Sequence, residues 1–95
     1  MQTLIMMADF GDYCFWKDNP DIAIDMANLP LLPETVENLK QWLDYFENNV
    51  NIKTLKFNSD IEETIFNIRG EELCKQVQLE LKEQYKVNYY RALEN

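Results

Sequence analysis

The chain lacks histidine altogether and contains a single serine, Ser59, among its 95 residues. Sites in which a histidine activates a serine or cysteine nucleophile are therefore excluded. Histidine-ligated zinc is excluded as well, and Cys14 and Cys74 do not form the CxxC pair of a thiolate site. Carboxylate pairs can perform acid–base chemistry, but no pocket-forming motif accompanies the acids of this chain. We therefore expect no catalytic residue, no metal and no cofactor.

Glycine and proline are scarce, with two and three residues, whereas 46% of the chain is apolar and 13% is aromatic. This composition can offset the entropy of ordering the chain, so we expect one folded domain, residues 1 to 95. The longest apolar run, Leu4 to Ala8, is far shorter than the roughly 20 residues of a membrane-spanning helix. The start of the chain lacks the basic region of a secretion signal, which predicts a cytoplasmic protein with reduced cysteines.

Basic residues are also few, with nine Lys and Arg against seventeen Asp and Glu, a formal net charge of −8. This balance argues against nucleic acid and anionic membranes as partners and favours a basic protein. Residues 1 to 50 hold nine acids and two lysines, a net of −7, whereas residues 51 to 95 hold eight acids and seven bases, a net of −1. Such a one-sided field can steer a cationic partner, although it also fits a surface that simply keeps the protein soluble.

Apolar patterning predicts four strands. Thr3 to Ala8 is apolar on both alternating faces, as a covered central strand would be, and an aromatic segment follows it after turn residues. The predicted strands are residues 3 to 8, 13 to 17, about 22 to 26 and 86 to 91. Residues 52 to 57 fit either an extended connector or a poor strand.

The first predicted helix covers residues 33 to 48. Pro33 suits the first helical position, and the acids that follow it suit the helix dipole. The apolar residues at helical spacing are Val36, Leu39, Leu43 and Phe46. Phe15, Trp42 and Phe46 are expected in the core.

The second predicted helix begins at Ser59, which forms a capping box with Glu62, and runs to about Gln84. Its predicted buried stripe consists of Ile61, Ile65, Ile68, Leu73, Val77 and Leu81. Gly70 costs about 1 kcal/mol relative to alanine inside a helix, so it marks either close packing on the sheet, which we favour, or a break into two helices. Together these elements predict an α+β fold, with a small, mainly antiparallel sheet of three to four strands and two helices on one face.

Acidic and aromatic residues alternate in the N-terminal half and form the candidate partner-binding site. Interface centres favour Tyr and Trp within a polar rim, so Tyr13 and Trp16 are the expected anchors. The candidate partner-binding residues are Asp9, Asp12, Tyr13, Trp16, Asp18, Asp21, Asp25, Glu34 and Glu37. The aspartates also suggest calcium, but the EF-hand spacing and its closing glutamate are missing.

Several features spread over nearly the whole chain point to one group of proteins. They are an opening strand that ends in Asp9-Phe10-Gly11, the Phe15-Trp16 pair, Leu29-Pro30-Leu31, Leu39 with Trp42 and Tyr45, Gly70 with Leu73, and a closing Val87-Asn88-Tyr89. The pattern resembles small acidic bacterial immunity proteins of contact-dependent growth inhibition and related polymorphic toxin systems. The resemblance implies a cytosolic antitoxin that binds a cognate toxin domain, such as a basic nuclease, and blocks its active site or substrate surface.

Two other functions stay open at this point. An acidic adaptor or regulatory module that binds a housekeeping protein would carry the same charge. A small enzyme or ion-binding domain would show calcium-dependent melting. We expect a monomer or a weak homodimer, the latter through an edge strand at residues 22 to 26.

Overall fold

The computed structural model describes residues 2–17 and 22–93. Within them the elements are β1 (Gln2–Met6), β2 (Phe15–Lys17), β3 (Ala23–Ile24), α1 (Pro33–Asn49), β4 (Val50–Asn51), β5 (Lys56–Phe57), α2 (Asp60–Leu81) and β6 (Tyr85–Tyr89). A 3₁₀ turn, Met26–Asn28, lies between β3 and α1. The predicted α+β class is confirmed.

Four of these strands form one sheet in the order β3-β2-β1-β6. β1 is antiparallel to β2, and β2 is antiparallel to β3, whereas β1 and β6 run parallel. The sheet is therefore mainly antiparallel, as predicted, and β1 is a central strand that is buried on both faces. Parallel pairing requires a long crossover, and α1 and α2 lie within the segment that provides it.

The two faces of the sheet differ in what covers them. Leu4, Met6 and Phe15 belong to the core cluster that the helices complete. Ile5 is buried but lies outside that cluster, directly opposite Trp16 in the neighbouring strand. Since directly opposite residues share a face, Ile5 and Trp16 lie on the side away from the helix core.

α1 and α2 pack against each other through aromatic side chains. Trp42 stacks on Phe66 with ring centroids 4.6 Å apart, and its indole N–H donates to the Phe66 carbonyl at 3.0 Å. The Phe46 ring lies 5.5 Å from the same phenyl ring. Phe15, Trp42 and Phe46 are all buried, which confirms their predicted place in the core.

The start of α1 is held by a residue of α2. Leu32 occupies the N-cap position and offers no side-chain hydrogen bond. Instead, one Glu80 carboxylate oxygen accepts the Leu32 N–H at 2.7 Å, and the other accepts the Thr35 hydroxyl. Partial burial raises the pKa of Glu80, but the hydrogen bonds from Thr35, Gln76 and Leu32 outweigh that effect and hold this pKa below its usual value.

Gly70 packs directly against the Tyr89 side chain of β6, which confirms the close packing expected there. A Cβ atom at this position would lie 2.6 Å from the hydroxyl oxygen of Tyr89 and 2.7 Å from two atoms of its ring. The same hydroxyl donates to the side-chain oxygen of Asn67, a buried residue, at 2.6 Å. α2 therefore continues through Gly70 without a break.

The predicted buried face of α2 is wrong in its first half, because Ile61, Ile65 and Ile68 are exposed. The buried residues of α2 are Phe66, Asn67, Gly70, Cys74, Val77 and Leu81. This helix carries apolar side chains on more than one face, and periodicity alone does not identify the face that meets the core. The face that meets the core is the one that contains Gly70, where the Tyr89 ring packs closely against the helix.

Several strand ends also differ from the predicted ones. β1 ends at Met6 rather than at residue 8, and β2 begins at Phe15 rather than at residue 13. β3 is shorter than the predicted segment 22 to 26, because the Asp25 carboxylate accepts the Ala27 N–H at 2.9 Å and starts the 3₁₀ turn.

The C-terminal half shows similar differences. α2 ends at Leu81, before the predicted Gln84, because its C-cap Lys82 has a φ of +54°. β6 covers Tyr85–Tyr89 rather than residues 86 to 91. The undecided segment contains β5, which pairs with β4 as a short antiparallel hairpin.

In the described part of the chain, no helix has the length and apolarity needed to cross a bilayer.

Candidate protein-binding surface

A cleft of about 470 Å³ lies between the β1–β2 loop, the start of the 3₁₀ turn and α1. Its lining includes four exposed acids: Asp12 from the loop, Asp25 from the turn, and Asp44 and Glu47 from α1. Among the described residues, Lys40 is the single base that lines it, so four carboxylates and one ammonium give a formal charge of −3. Two predicted site residues, Asp12 and Asp25, thus come together with two acids that were not predicted for the site.

Local contacts fix the loop that carries Asp12. Gly11 has a φ of +108°, a conformation that favours glycine, and its N–H donates to Glu47 Oε1 at 2.9 Å. The Phe10 ring lies 5.0 Å from the Phe46 ring, and the Asp9 carboxylate accepts the Phe10 N–H. The loop is therefore attached to the C-terminal part of α1 at two neighbouring points.

The position of Glu47 on α1 is electrostatically unfavourable for the helix itself. It lies in the last turn, where the helix dipole favours cations and where α1 has no basic residue. An acid at this end typically costs about 0.3–1 kcal/mol. The negative end of the dipole therefore adds to the carboxylate charge that the cleft presents to a partner.

The cleft is not built as a cation site. Within residues 2–17 and 22–93, no three acidic or thiol side chains converge closely enough to hold a metal ion. The carboxylates are exposed and are distributed around the cleft walls. This arrangement suits several separate basic groups on an extended partner better than it suits one desolvated ion.

The two predicted aromatic anchors lie in different surroundings. Tyr13 follows Asp12 in the loop and is 47% exposed, so its ring is accessible to a partner. Trp16 is half-buried on the sheet face away from the helix core, and its indole N–H already donates to the Met7 carbonyl at 2.9 Å. Neither side chain lines the cleft: Tyr13 adjoins Asp12 of the cleft in sequence, whereas Trp16 lies on the sheet face away from the helix core.

The remaining predicted residues flank the cleft or fall outside the described chain. Asp9 is exposed in the β1–β2 loop, and Glu34 and Glu37 are exposed on α1 without lining the cleft. Glu37 precedes Asp44 by seven residues, or about two turns, so the two acids share one side of α1. Asp18 and Asp21 lie outside the described residues.

Asp44 and Glu47 are the acids that sequence reasoning missed as site residues. Their signal was present, since Glu37, Lys40, Asp44 and Glu47 follow a helical repeat on the polar side of α1. The pattern did not show that the β1–β2 loop packs against this side of the helix.

A separate apolar groove of about 530 Å³ lies between α2 and β6, and its lining includes Cys74 and Leu79. The Gln78 amide pairs with the backbone of β6 there, because its nitrogen donates to the Tyr85 carbonyl and its oxygen accepts the Val87 N–H, each at 2.8 Å. This side chain occupies backbone groups that would otherwise be free to pair with another strand.

Both cysteines are free and buried thiols. Burial raises the pKa of Cys14 to about 12. Burial also raises the pKa of Cys74, with a further contribution from the Glu71 charge. Neither thiol is therefore an activated nucleophile at neutral pH.

Fold and charge together define a class: a small acidic α+β protein whose candidate site is a surface for another protein. The model of the Serratia CdiI immunity protein-like family matches residues 2–92, and the chain belongs to this family. Membership gives it the role of an immunity protein, or antitoxin, of contact-dependent growth inhibition, with a cognate toxin protein as its partner. The resemblance drawn from the sequence is thereby confirmed. Comparison with curated proteins finds no significant match.

Proposed function

We propose that the protein neutralises its cognate toxin by stoichiometric binding in the cytoplasm, without catalysis, and that the acidic cleft meets a basic surface of the toxin. A nuclease is the toxin type that fits best, because its phosphate-binding surface is cationic. The observation that carries the proposal is the cleft itself, in which Asp12, Asp25, Asp44 and Glu47 surround a single lysine.

Electrostatics would act mainly on the rate of association. Exposed charges interact over about 8 Å at physiological ionic strength, so the cleft acids act together on an approaching cationic surface. Complementary charge of this kind raises association rates toward about 10⁸–10⁹ M⁻¹s⁻¹ at low salt. Rapid capture suits an antitoxin, because a free toxin acts until it is bound.

Contact residues beyond the cleft would supply affinity and specificity. Tyr13 is the best-placed anchor, since it is an exposed aromatic residue that adjoins Asp12 of the cleft in sequence, and interface centres favour such residues. Trp16 would contribute the exposed part of its ring at the margin of the surface. The proposed contact set otherwise keeps the acids named from the sequence: Asp9, Asp12, Asp18, Asp21, Asp25, Glu34 and Glu37.

The test measures binding to the toxin domain encoded by the neighbouring upstream gene, at several salt concentrations. Asp12→Lys and Asp44→Lys reverse charge on two walls of the cleft. Glu83→Lys is the matched control for each single cleft variant, because it makes the same charge change at an exposed residue just beyond α2. We expect the combined cleft variant to slow association by roughly tenfold and to weaken its salt dependence, with a smaller effect on dissociation.

The outcomes separate the alternatives. If the cleft variants and the control slow association equally, the overall charge rather than the cleft is responsible, and the proposed contact surface is wrong. Unchanged association of all variants also contradicts the cleft. Failure to bind the toxin, with stoichiometric binding of a housekeeping protein instead, would assign the chain an adaptor role.

A further inference from the structure

The outer face of α2 carries an apolar stripe that the fold leaves in solvent. Ile61 and Leu79 are 72% and 71% exposed, Ile68 is 53% exposed and Ile65 is 38% exposed. Exposed apolar side chains grouped on one surface often mark an interaction site. The stripe extends from Ile61 to Leu79, eighteen residues further along the helix, or about 27 Å.

The isoleucines of this stripe lie opposite the face of α2 that packs on the sheet, whereas Leu79 also borders the groove between α2 and β6. Gly70 follows Ile61 by nine residues and Val77 follows Ile68 by nine, which is about two and a half turns of an α-helix. Gly70 and Val77 are buried, so Ile61 and Ile68 point away from the core. α2 therefore has two apolar faces, of which its own fold uses one.

The stripe has the spacing of a coiled-coil seam. Its positions alternate in steps of four and three residues: Ile61, Ile65, Ile68, Glu72, Lys75, Leu79 and Lys82. This is the repeat that keeps side chains along one line where two helices pack lengthwise.

The chemistry of the seam is self-complementary. Its central positions are Ile68, Glu72, Lys75 and Leu79, an apolar pair that encloses an acid and a base. A two-fold axis midway between Glu72 and Lys75 places Ile68 of one chain against Leu79 of a second, antiparallel copy. The same axis places each Glu72 against the other chain's Lys75, so two ion pairs form between two apolar layers.

We infer that a second copy of this chain docks on the outer face of α2, forming an antiparallel two-fold helix pair centred between Glu72 and Lys75. Two-fold symmetry is the commonest closed arrangement of identical subunits, and it requires a surface that matches itself. Moving one helix by one seam position brings either Glu72 against Glu72 with Lys75 against Ile68, or Lys75 against Lys75 with Glu72 against Leu79, so like charges meet and the other charge loses its partner.

Other surfaces are less suited to pairing between two copies of the chain. The edge strand expected to pair between copies, β3, has two residues, Ala23 and Ile24, and offers few backbone partners. The acidic cleft contains no residue of α2, so a dimer formed through α2 leaves the proposed toxin surface free.

The test uses two charge reversals on the seam, Glu72→Lys and Lys75→Glu, measured by sedimentation velocity over a wide range of protein concentration. Wild type is expected to dimerise with increasing concentration. Each variant alone brings like charges together across the two-fold axis and is expected to stay monomeric where wild type is dimeric. An equimolar mixture of the two restores both ion pairs and is expected to recover the dimer mass.

The controls keep the test independent of folding and of toxin binding. Circular dichroism should show unchanged helix content, since both positions are exposed. Asp44→Lys, a charge reversal in the cleft, should dimerise like wild type. A wild type that remains monomeric throughout, or variants that dimerise as well alone as when mixed, would overturn the inference.

Discussion

Replacing Gly70 by alanine should destabilise the protein, although the same change usually stabilises a helix. Alanine is favoured over glycine inside a helix by about 0.8–1.0 kcal/mol. Here the new methyl group would lie 2.6 Å from the Tyr89 hydroxyl oxygen and 2.7 Å from its ring. These distances are shorter than van der Waals contact distances, so the tyrosine ring must move.

The cost of that movement follows from what holds the ring. Tyr89 donates to Asn67, which is 7% exposed, so displacement leaves a buried amide oxygen without its partner. Losing such a partner costs about 1–3 kcal/mol, and overpacking costs a similar amount. After subtraction of the gain of about 1 kcal/mol in helix propensity, the expected loss is about 1–5 kcal/mol.

The assay is urea unfolding followed by tryptophan fluorescence, since Trp42 is buried beside the affected contacts. A loss of about 2 kcal/mol lowers the midpoint by about 1 M for a typical small domain. The decisive control is Gly70→Ala in a Tyr89→Ala background, where the obstructing ring is gone and the substitution should stabilise by about 1 kcal/mol. Stabilisation of the wild-type background by the same amount would refute the close-contact argument.

Two further predictions concern Glu80 and Leu55. The lowered pKa of Glu80 means that its charge stabilises the fold above its ordinary value of 4.5 and that this contribution is lost as pH falls through the lower folded-state value. Glu80→Gln weakens the contacts to Leu32 and Thr35 and should therefore lower the unfolding free energy at neutral pH. The difference in unfolding free energy between this variant and wild type should become smaller in acid. Urea titrations that give the same difference across this pH range would contradict the role of the charge. Leu55 has a φ of +55° and is 52% exposed, so Leu55→Asn should raise the unfolding free energy by about 1 kcal/mol. The control Ile52→Asn, at the exposed start of the same turn, should give no gain, and equal effects of the two changes on thermal melting would point to solubility instead.

The first helix and the central strand could be predicted closely because the spacing of apolar residues in each of them fits only one buried arrangement. Val36, Leu39, Leu43 and Phe46 allow a single inward face for α1, and Pro33 marks its start. β1 is apolar on alternate residues of both faces, which few structures other than a covered strand produce. Agreement between local pattern and burial made these elements predictable.

α2 could not be predicted to the same level because its pattern is ambiguous. Its isoleucines form a more regular repeat than the residues that are buried, which include Asn67 and Gly70. Their burial depends on Tyr89, a residue nineteen positions after Gly70 in another element. A long-range contact of this kind leaves no periodic signal.

The negative charge of the cleft could be predicted from the sequence, but the full set of residues that line it could not. The excess of acids in residues 1 to 50 indicated a negative surface, and Asp12 and Asp25 do line the cleft. The contribution of Asp44 and Glu47 depends on the Gly11 contact, which joins a loop to a helix thirty-six residues away. Trp16 was placed correctly in a strand, but its neighbours across the sheet determine which surface it reaches.

The parallel pairing of β1 with β6 also determines when the protein can complete its fold during synthesis. β1 is synthesised before both helices, whereas Tyr85–Tyr89 follow them. Translation adds about 5–20 residues per second, so β1 waits several seconds with one edge unpaired and with Leu4 and Met6 lacking part of their cover. Chaperones that shield β1 during this interval, or codons that slow the helices, would change how soon a newly made molecule can protect its cell.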